Sequence, residues 1–172
     1  NINGADVAVV TSGISGTGSI NFTTSTRTDV DGAIALTGTG SVTLDQAVIS
    51  NVNVTTANSD ITFSGQVTLD TGAVAIGSNT GGGNLSFAAI EGTQALTLTA
   101  GTGNIDFNGA VGDGGATLGL VTIVSAGTID TDGVFKSAGL TWASTGETQL
   151  DGLVTSTAVV DLTAALIDVN AG

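Results

Sequence analysis

Cysteine, histidine, methionine, proline and tyrosine are all absent from this chain of 172 residues, and only two cationic side chains, Arg27 and Lys136, are present. Without His or Cys there is no Ser–His or Cys–His nucleophile pair, no thiolate and no soft zinc or copper site. Carboxylates, hydroxyls and amides are what remain for any chemistry. A formal net charge of −13 excludes the clustered Lys and Arg that phosphate binding needs, which sets aside nucleic acid and anionic membrane surfaces alike. No apolar run approaches the ~20 residues of a membrane helix, so no membrane insertion is expected. Neither an initiator Met nor a signal peptide stands at the start, and the chain reads as a processed product or an excerpt of a longer protein. The lack of Cys accords with an exported bacterial protein that forgoes disulfides, and equally with a cytosolic one.

What is present is a strand-and-turn vocabulary. Ala, Val, Ile, Leu, Thr and Gly dominate, and 41% hydrophobic residues argue for a chain that buries surface rather than a disordered one. A repeat organises it. The segments GSINF, GSVTL, SDITF, GNLSF, GNIDF and GTIDT align on the aliphatic anchors Ile20, Val42, Ile61, Leu85, Ile105 and Ile129, spaced by 22, 19, 24, 20 and 24 residues. Two positions before each anchor stands Gly18, Gly40, Ser59, Gly83, Gly103 or Gly127, and two after it Phe22, Leu44, Phe63, Phe87, Phe107 or Thr131. Four of the five phenylalanines share that column. The residue between, Asn21, Thr43, Thr62, Ser86, Asp106 or Asp130, is polar every time, so one face of the strand is buried and the other wet.

A second strand follows half a repeat later, at Ile34, Val52, Val74, Leu96, Val121 and Leu140, and a weaker third element lies between, at Val67, Val111 and Phe135. DVAVV around Val7 reads as the second strand of an earlier repeat, TQLDG around Leu150 as the first strand of a degraded one, and the pattern runs on to Val169. No unit can bury its aliphatic face alone. Stacking units in register, about 4.8 Å apart, pairs their backbones and turns each column into an interior ladder. The expected fold is therefore all-β: a β-solenoid, specifically a right-handed parallel β-helix of about seven to eight coils with 19–24 residues per coil, spanning 1–172 as one domain roughly 35 to 40 Å long. A sandwich or antiparallel barrel would not demand the same residue type at the same place in every repeat. Neither end carries a polar capping segment, so the ends are expected to join further coils or stack end to end on neighbouring molecules.

Repeats such as LTLTAGTGNIDFNGAVGDGGATLGLVTIVSAGTI resemble the low-complexity repeats of filamentous-haemagglutinin-like exoproteins and autotransporter passengers, bacterial surface proteins. The resemblance covers nearly the whole chain, most clearly residues 59–142, and is one of pattern and composition. It implies a parallel β-helix displayed outside the cell as an adhesin or structural fibre, with a host-cell or matrix carbohydrate or protein as ligand. That family's secretion-signal domain has no counterpart in the chain.

Several residues are candidate sites. GTGNIDFNG offers Gly101, Gly103 and Asp106 to a calcium-binding nonapeptide pattern, but the Asp falls one place late and the motif does not recur every nine residues. The pairs Asp29 with Asp31, and Asp130 with Asp132, could hold calcium, or could simply keep a sparsely charged rod soluble. Asp106 and Asp130 occupy equivalent places on consecutive coils, as the two carboxyls of a retaining glycosidase would, at about 5 Å. With no Tyr or His, one Trp and two cations, little is left to bind sugar, so a carbohydrate-binding or carbohydrate-cleaving protein is the alternative rather than the leading reading. Thr43, Thr62, Thr97, Thr122 and Thr141 suggest the threonine array of an ice-binding solenoid, interrupted by Ala35, Asn53, Ala75 and Asp106. The sequons at Asn21, Asn53 and Asn84 read as incidental. The expectation is no catalytic, cofactor or metal residue, calcium being the one ion left open, and a structural or adhesive, non-enzymatic role.

Overall fold

The computed structural model describes residues 2–9 and 12–170, with side chains over 12–23 and 26–170. These residues form strands and turns, with no helix among them. In chain order the strands are β1 (Ile2–Val9), β2 (Ile14–Gly16), β3 (Ile20–Val30), β4 (Ile34–Leu36), β5 (Val42–Leu44) and β6 (Ala47–Ser50). They continue as β7 (Asn53–Thr55), β8 (Ile61–Thr71), β9 (Val74–Gly77), β10 (Leu85–Gly92), β11 (Leu96–Thr99) and β12 (Ile105–Phe107). The last seven are β13 (Leu118–Ala126), β14 (Ile129–Thr131), β15 (Phe135–Ser144), β16 (Glu147–Leu150), β17 (Val154–Ser156), β18 (Val160–Thr163) and β19 (Leu166–Val169).

Every pairing is parallel, and the chain winds as a β-solenoid of about eight turns with three faces. The anchor face runs β1-β3-β5-β8-β10-β12-β14-β16-β19. All six sequence anchors lie on it in unbroken register, Ile20 opposite Val42, then Ile61, Leu85, Ile105 and Ile129, and the series continues into Thr148 and Ile167. Strands β3, β8 and β10 bend past the first corner onto a middle face, where Ala47, Val67, Ile90, Val111, Phe135 and Val154 form the ladder. The return face runs from β2 through β4, β7, β9, β11, β13 and β15 to β18.

Two expectations are corrected. Ile34 pairs with Val54 instead of Val52, and Val54 with Ile76, so the early return-face strands sit two residues away from the spacing that the sequence suggested. A slip of two keeps every apolar residue inward, so the alternation cannot distinguish the two registers. Residues 6–9 of DVAVV lie on the middle face, Val7 opposite Thr28 and Val9 opposite Val30, because β1 follows the same path as β3 around the corner, and Val10 lies outside the described residues.

The three faces enclose one continuous core. Phe63, Phe87 and Phe107 stack at 5.3 and 5.5 Å between ring centroids with interplanar angles of 9° and 17°. Thr131 breaks that column, and the space is filled from the other faces. Phe135 meets Phe107 edge-on at 5.2 Å, while Trp142 stacks on Phe107 at 6.1 Å and meets Phe135 edge-on at 5.0 Å.

Of the glycines ahead of the anchors, Gly40, Gly83, Gly103 and Gly127 are explained by crowding, while a Cβ on Gly18 would meet nothing. A Cβ on Gly103 would lie 2.4 Å from the Gly83 carbonyl oxygen, and one on Gly40 2.2 Å from that of Gly18. Coils at this corner touch backbone to backbone. Left-handed backbone occurs at another corner, between the middle and return faces, at Asn51 (φ 53°) and Gly72 (φ 63°), where Asn and Gly are the residues that tolerate it.

Candidate functional site

The outward column of the anchor face reads Asn21, Thr43, Thr62, Ser86, Asp106, Asp130, Gln149 and Asp168, each opposite the next. Period-two alternation forces these side chains out while Ile105, Phe107 and Ile129 point in. The stretch GTGNIDFNG is thus a rung of the stack: Ile105, Phe107 and Val111 are buried and Asp106 faces outward beside Asp130.

Acids gather toward the C-terminal half of this face. The corner after each anchor strand places Asp132 and Asp151 one above the other, where the Asp132 N–H donates to the Phe107 carbonyl and the Asp151 N–H to that of Thr131, both at 3.0 Å. Carboxylate oxygens of Asp130, Asp132 and Asp151 come within 4.8 Å of one another. Burial pushes the Asp106 carboxyl above the ordinary 3.8, and the Asp132 charge adds to this. The Asp130 carboxyl is raised by burial first, then by Asp132, Asp151 and Asp106, against a lowering hydrogen bond from the Thr131 backbone. Gln149 Nε2 donates to Asp151 Oδ2 at 2.8 Å, whereas Oδ1 of Asp130 and of Asp151 is shielded from solvent without a hydrogen-bond partner. A groove of about 230 Å³ opens over Asn104, Asp106, Asp130, Glu147 and Gln149. Three hard carboxylates suit calcium among the common ions, and Asp130, Asp132 and Asp151 are the residues that would hold it.

The sequence brought Asp106, Asp130 and Asp132 to this spot and missed Asp151. Its signal was the Asp-Gly step shared by Asp132-Gly133 and Asp151-Gly152. The other acidic pair does not form a comparable centre: Asp29 takes a two-pronged ion pair from Arg27, with both contacts at 2.6 Å, and Asp31 is exposed. Lys136 is engaged by Asp113 on the loop beyond Val111.

The threonines divide between faces. Thr43 and Thr62 belong to the anchor face, while Thr97, Thr122 and Thr141 form a short run on the return face between Ala75 and Asp161. Beside that run a shallow groove of about 460 Å³ is lined by Ala35, Thr55, Ala57, Ala75, Asn79 and Thr99. No single threonine array results.

A polar column one residue before each anchor was not foreseen. The N–H of Asn84 donates to Asp60 Oδ1 (2.8 Å), that of Asn104 to Asn84 Oδ1 (2.9 Å) and that of Thr128 to Asn104 Oδ1 (3.2 Å). Each side chain thereby satisfies the backbone of the next coil, and the sequon residue Asn84 is one link. All six aromatic side chains are buried, which leaves none on the surface as a sugar-stacking platform.

Comparison of the chain with known protein families, with curated proteins and with solved structures finds no match.

Proposed function

We propose that this chain is a stiff structural or adhesive module of an exported bacterial surface or extracellular-matrix protein, whose role is length and display. The observation that carries the reading is the unbroken parallel stack: strands β1 to β19 pair coil on coil around one core that runs from Ile20 to Leu150, with no inserted domain among the described residues. Bacterial export and surface location rest on the resemblance of the repeats to filamentous-haemagglutinin-like exoproteins. The interior placement of every aromatic ring weighs toward a rod and away from carbohydrate cleavage, although Asp106 and Asp130 are neighbours.

Two measurements test the reading. Small-angle scattering of the monomer should give a rod roughly 40 Å long, and a compact sphere would overturn the architecture. Beads coated with the chain should adhere to immobilised matrix proteins or host-type glycans. Failure to adhere, together with hydrolysis of a polysaccharide that disappears in Asp106→Asn and Asp130→Asn, would replace the adhesive role with an enzymatic one.

A further inference from the structure

Charge is spread unevenly around the rod. The anchor face carries Asp106, Asp130 and Asp168, the corner beyond it Asp45, Asp132 and Asp151, and the middle face Asp29 and Glu91. The return face differs. β2, β4, β7, β9, β11 and β13 contain no charged residue, and neither does β15 over residues 139–143, where it pairs with β13 and β18. Among the described residues of these strands, Asp161 in β18 is the charge that reaches the face.

The outward side chains of this face are short or apolar. Ala75, Thr97, Thr122 and Thr141 make its central column, and on β13 Leu120 and Val124 flank Thr122 while Val121 and Ile123 point into the core. Leu120 and Val124 are 47% and 54% exposed. Among residues whose side chains are described, every other exposed large hydrophobic belongs to the last coil. Coils stack along the rod, and Leu120 and Val124 face sideways from a rung that already has a neighbour above and below, so no further coil could cover them. Paired apolar side chains left open on an uncharged face mark an interaction surface.

We propose that the return face binds the return face of a second copy, the two rods lying side by side and pointing the same way about a two-fold axis that runs along them over the central column. Such an axis sets Leu120 of each copy against Val124 of the other, and each central residue opposite its own counterpart. Charge selects this partner. Two copies at −13 each would bring carboxylates together through the anchor or middle face, whereas the return face lets them meet without any until the rung of Asp161. A cationic partner would be drawn to the acids instead and would gain nothing here. Area is sufficient as well. The six return-face strands from β4 to β15, at about 4.8 Å per rung and about three outward residues each, offer about 500 Å² per copy, or about 1,000 Å² in all, where specific interfaces begin. Because the same surface is used on both sides, the contact closes on itself and stops at two. The proposal adds a partner to the rod reading and rests on that architecture.

Sedimentation velocity and small-angle scattering of the 172-residue chain over a range of concentration provide the test. Mass should double at constant length as the rod thickens. L120K/V124K lowers the net negative charge of each copy, yet it should weaken the dimer by about 100-fold or more, since it sets like charges face to face. Thr62→Lys, the same charge placed on the anchor face, should leave the dimer intact. Circular dichroism shows that each variant keeps its strands. Asp161→Asn, which removes the facing carboxylates and leaves the core untouched, should tighten the dimer several-fold, so the proposal does not depend on the lysine variant folding. Orientation is read from nitroxides on single cysteines in a chain without native thiols, at Thr37, Thr102 or Thr145 on the corner that follows the return face. The three distances between copies should be alike in parallel rods, whereas antiparallel rods would change them by about 10 Å per rung, twice the coil spacing. Slender single rods at every concentration, a dimer indifferent to L120K/V124K, or unequal spin distances would each overturn this proposal and leave the rod reading standing. A compact particle in scattering would overturn both.

Discussion

Asp106 and Asp130 carry charge where the fold least favours it. Both carboxyls are held above 3.8, so ionising them costs the folded chain more than the unfolded one. That cost is fully present above their folded pKa values and is relieved as pH falls through them toward 3.8, where the folded state binds protons that the unfolded chain does not. These groups should therefore raise Tm as pH is lowered from neutrality into the region just above 3.8. Asp130→Asn should raise Tm at neutral pH by about 1–2 °C and flatten this rise. Thermal melts of both proteins across that range provide the check, and a Tm that falls in the same window for the unsubstituted chain alone would contradict it. Phe87 represents the opposite kind of residue, fully buried between two parallel rings. Phe87→Ala should cost about 3–5 kcal/mol in urea unfolding, because coils clamped above and below cannot collapse into the space.

Between neighbouring coils, backbone crowding decides what is tolerated. Gly103→Ala introduces a methyl group against the Gly83 carbonyl, which can yield only by parting two rungs. A loss of about 1–3 kcal/mol is expected from overpacking of this kind, with hydrogen exchange accelerated at Leu85 and Ile105 more than at distant Val42. Uniform exchange would argue against a local effect. At this scale the anchor face from Ile20 to Ile129 was legible in the sequence, because a buried ladder demands one residue type at one place and Ile, Val, Leu and Phe supply it. The early return face was not, since VNVT offers an inward Val at both 52 and 54, and a two-residue slip changes nothing that alternation records. The Asp60, Asn84 and Asn104 column, which ends on the Thr128 N–H, was overlooked because its accepting side chains share an Oδ1 atom rather than a name. Asp106 and Asp130 were found as a pair through their equal places in the repeat. Asp151 joined them from a rung whose Thr148 replaces the aliphatic anchor and so hides the alignment.

For the molecule as a whole, strands lie across the rod, so their hydrogen bonds run along it. Every coil is held to the next by the same parallel pairing and to no other coil, which makes the stack a chain of similar links. Tension between the termini loads those links one rung at a time, as in opening a zip, instead of shearing a sheet all at once. Each released coil of about 20 residues would supply roughly 60–70 Å of extended chain. Single-molecule pulling should therefore show a train of small, evenly spaced ruptures, and one large simultaneous break would contradict the picture. A tether of this construction gives way gradually under a tug, dissipating work at each step, and can rewind when the load is removed.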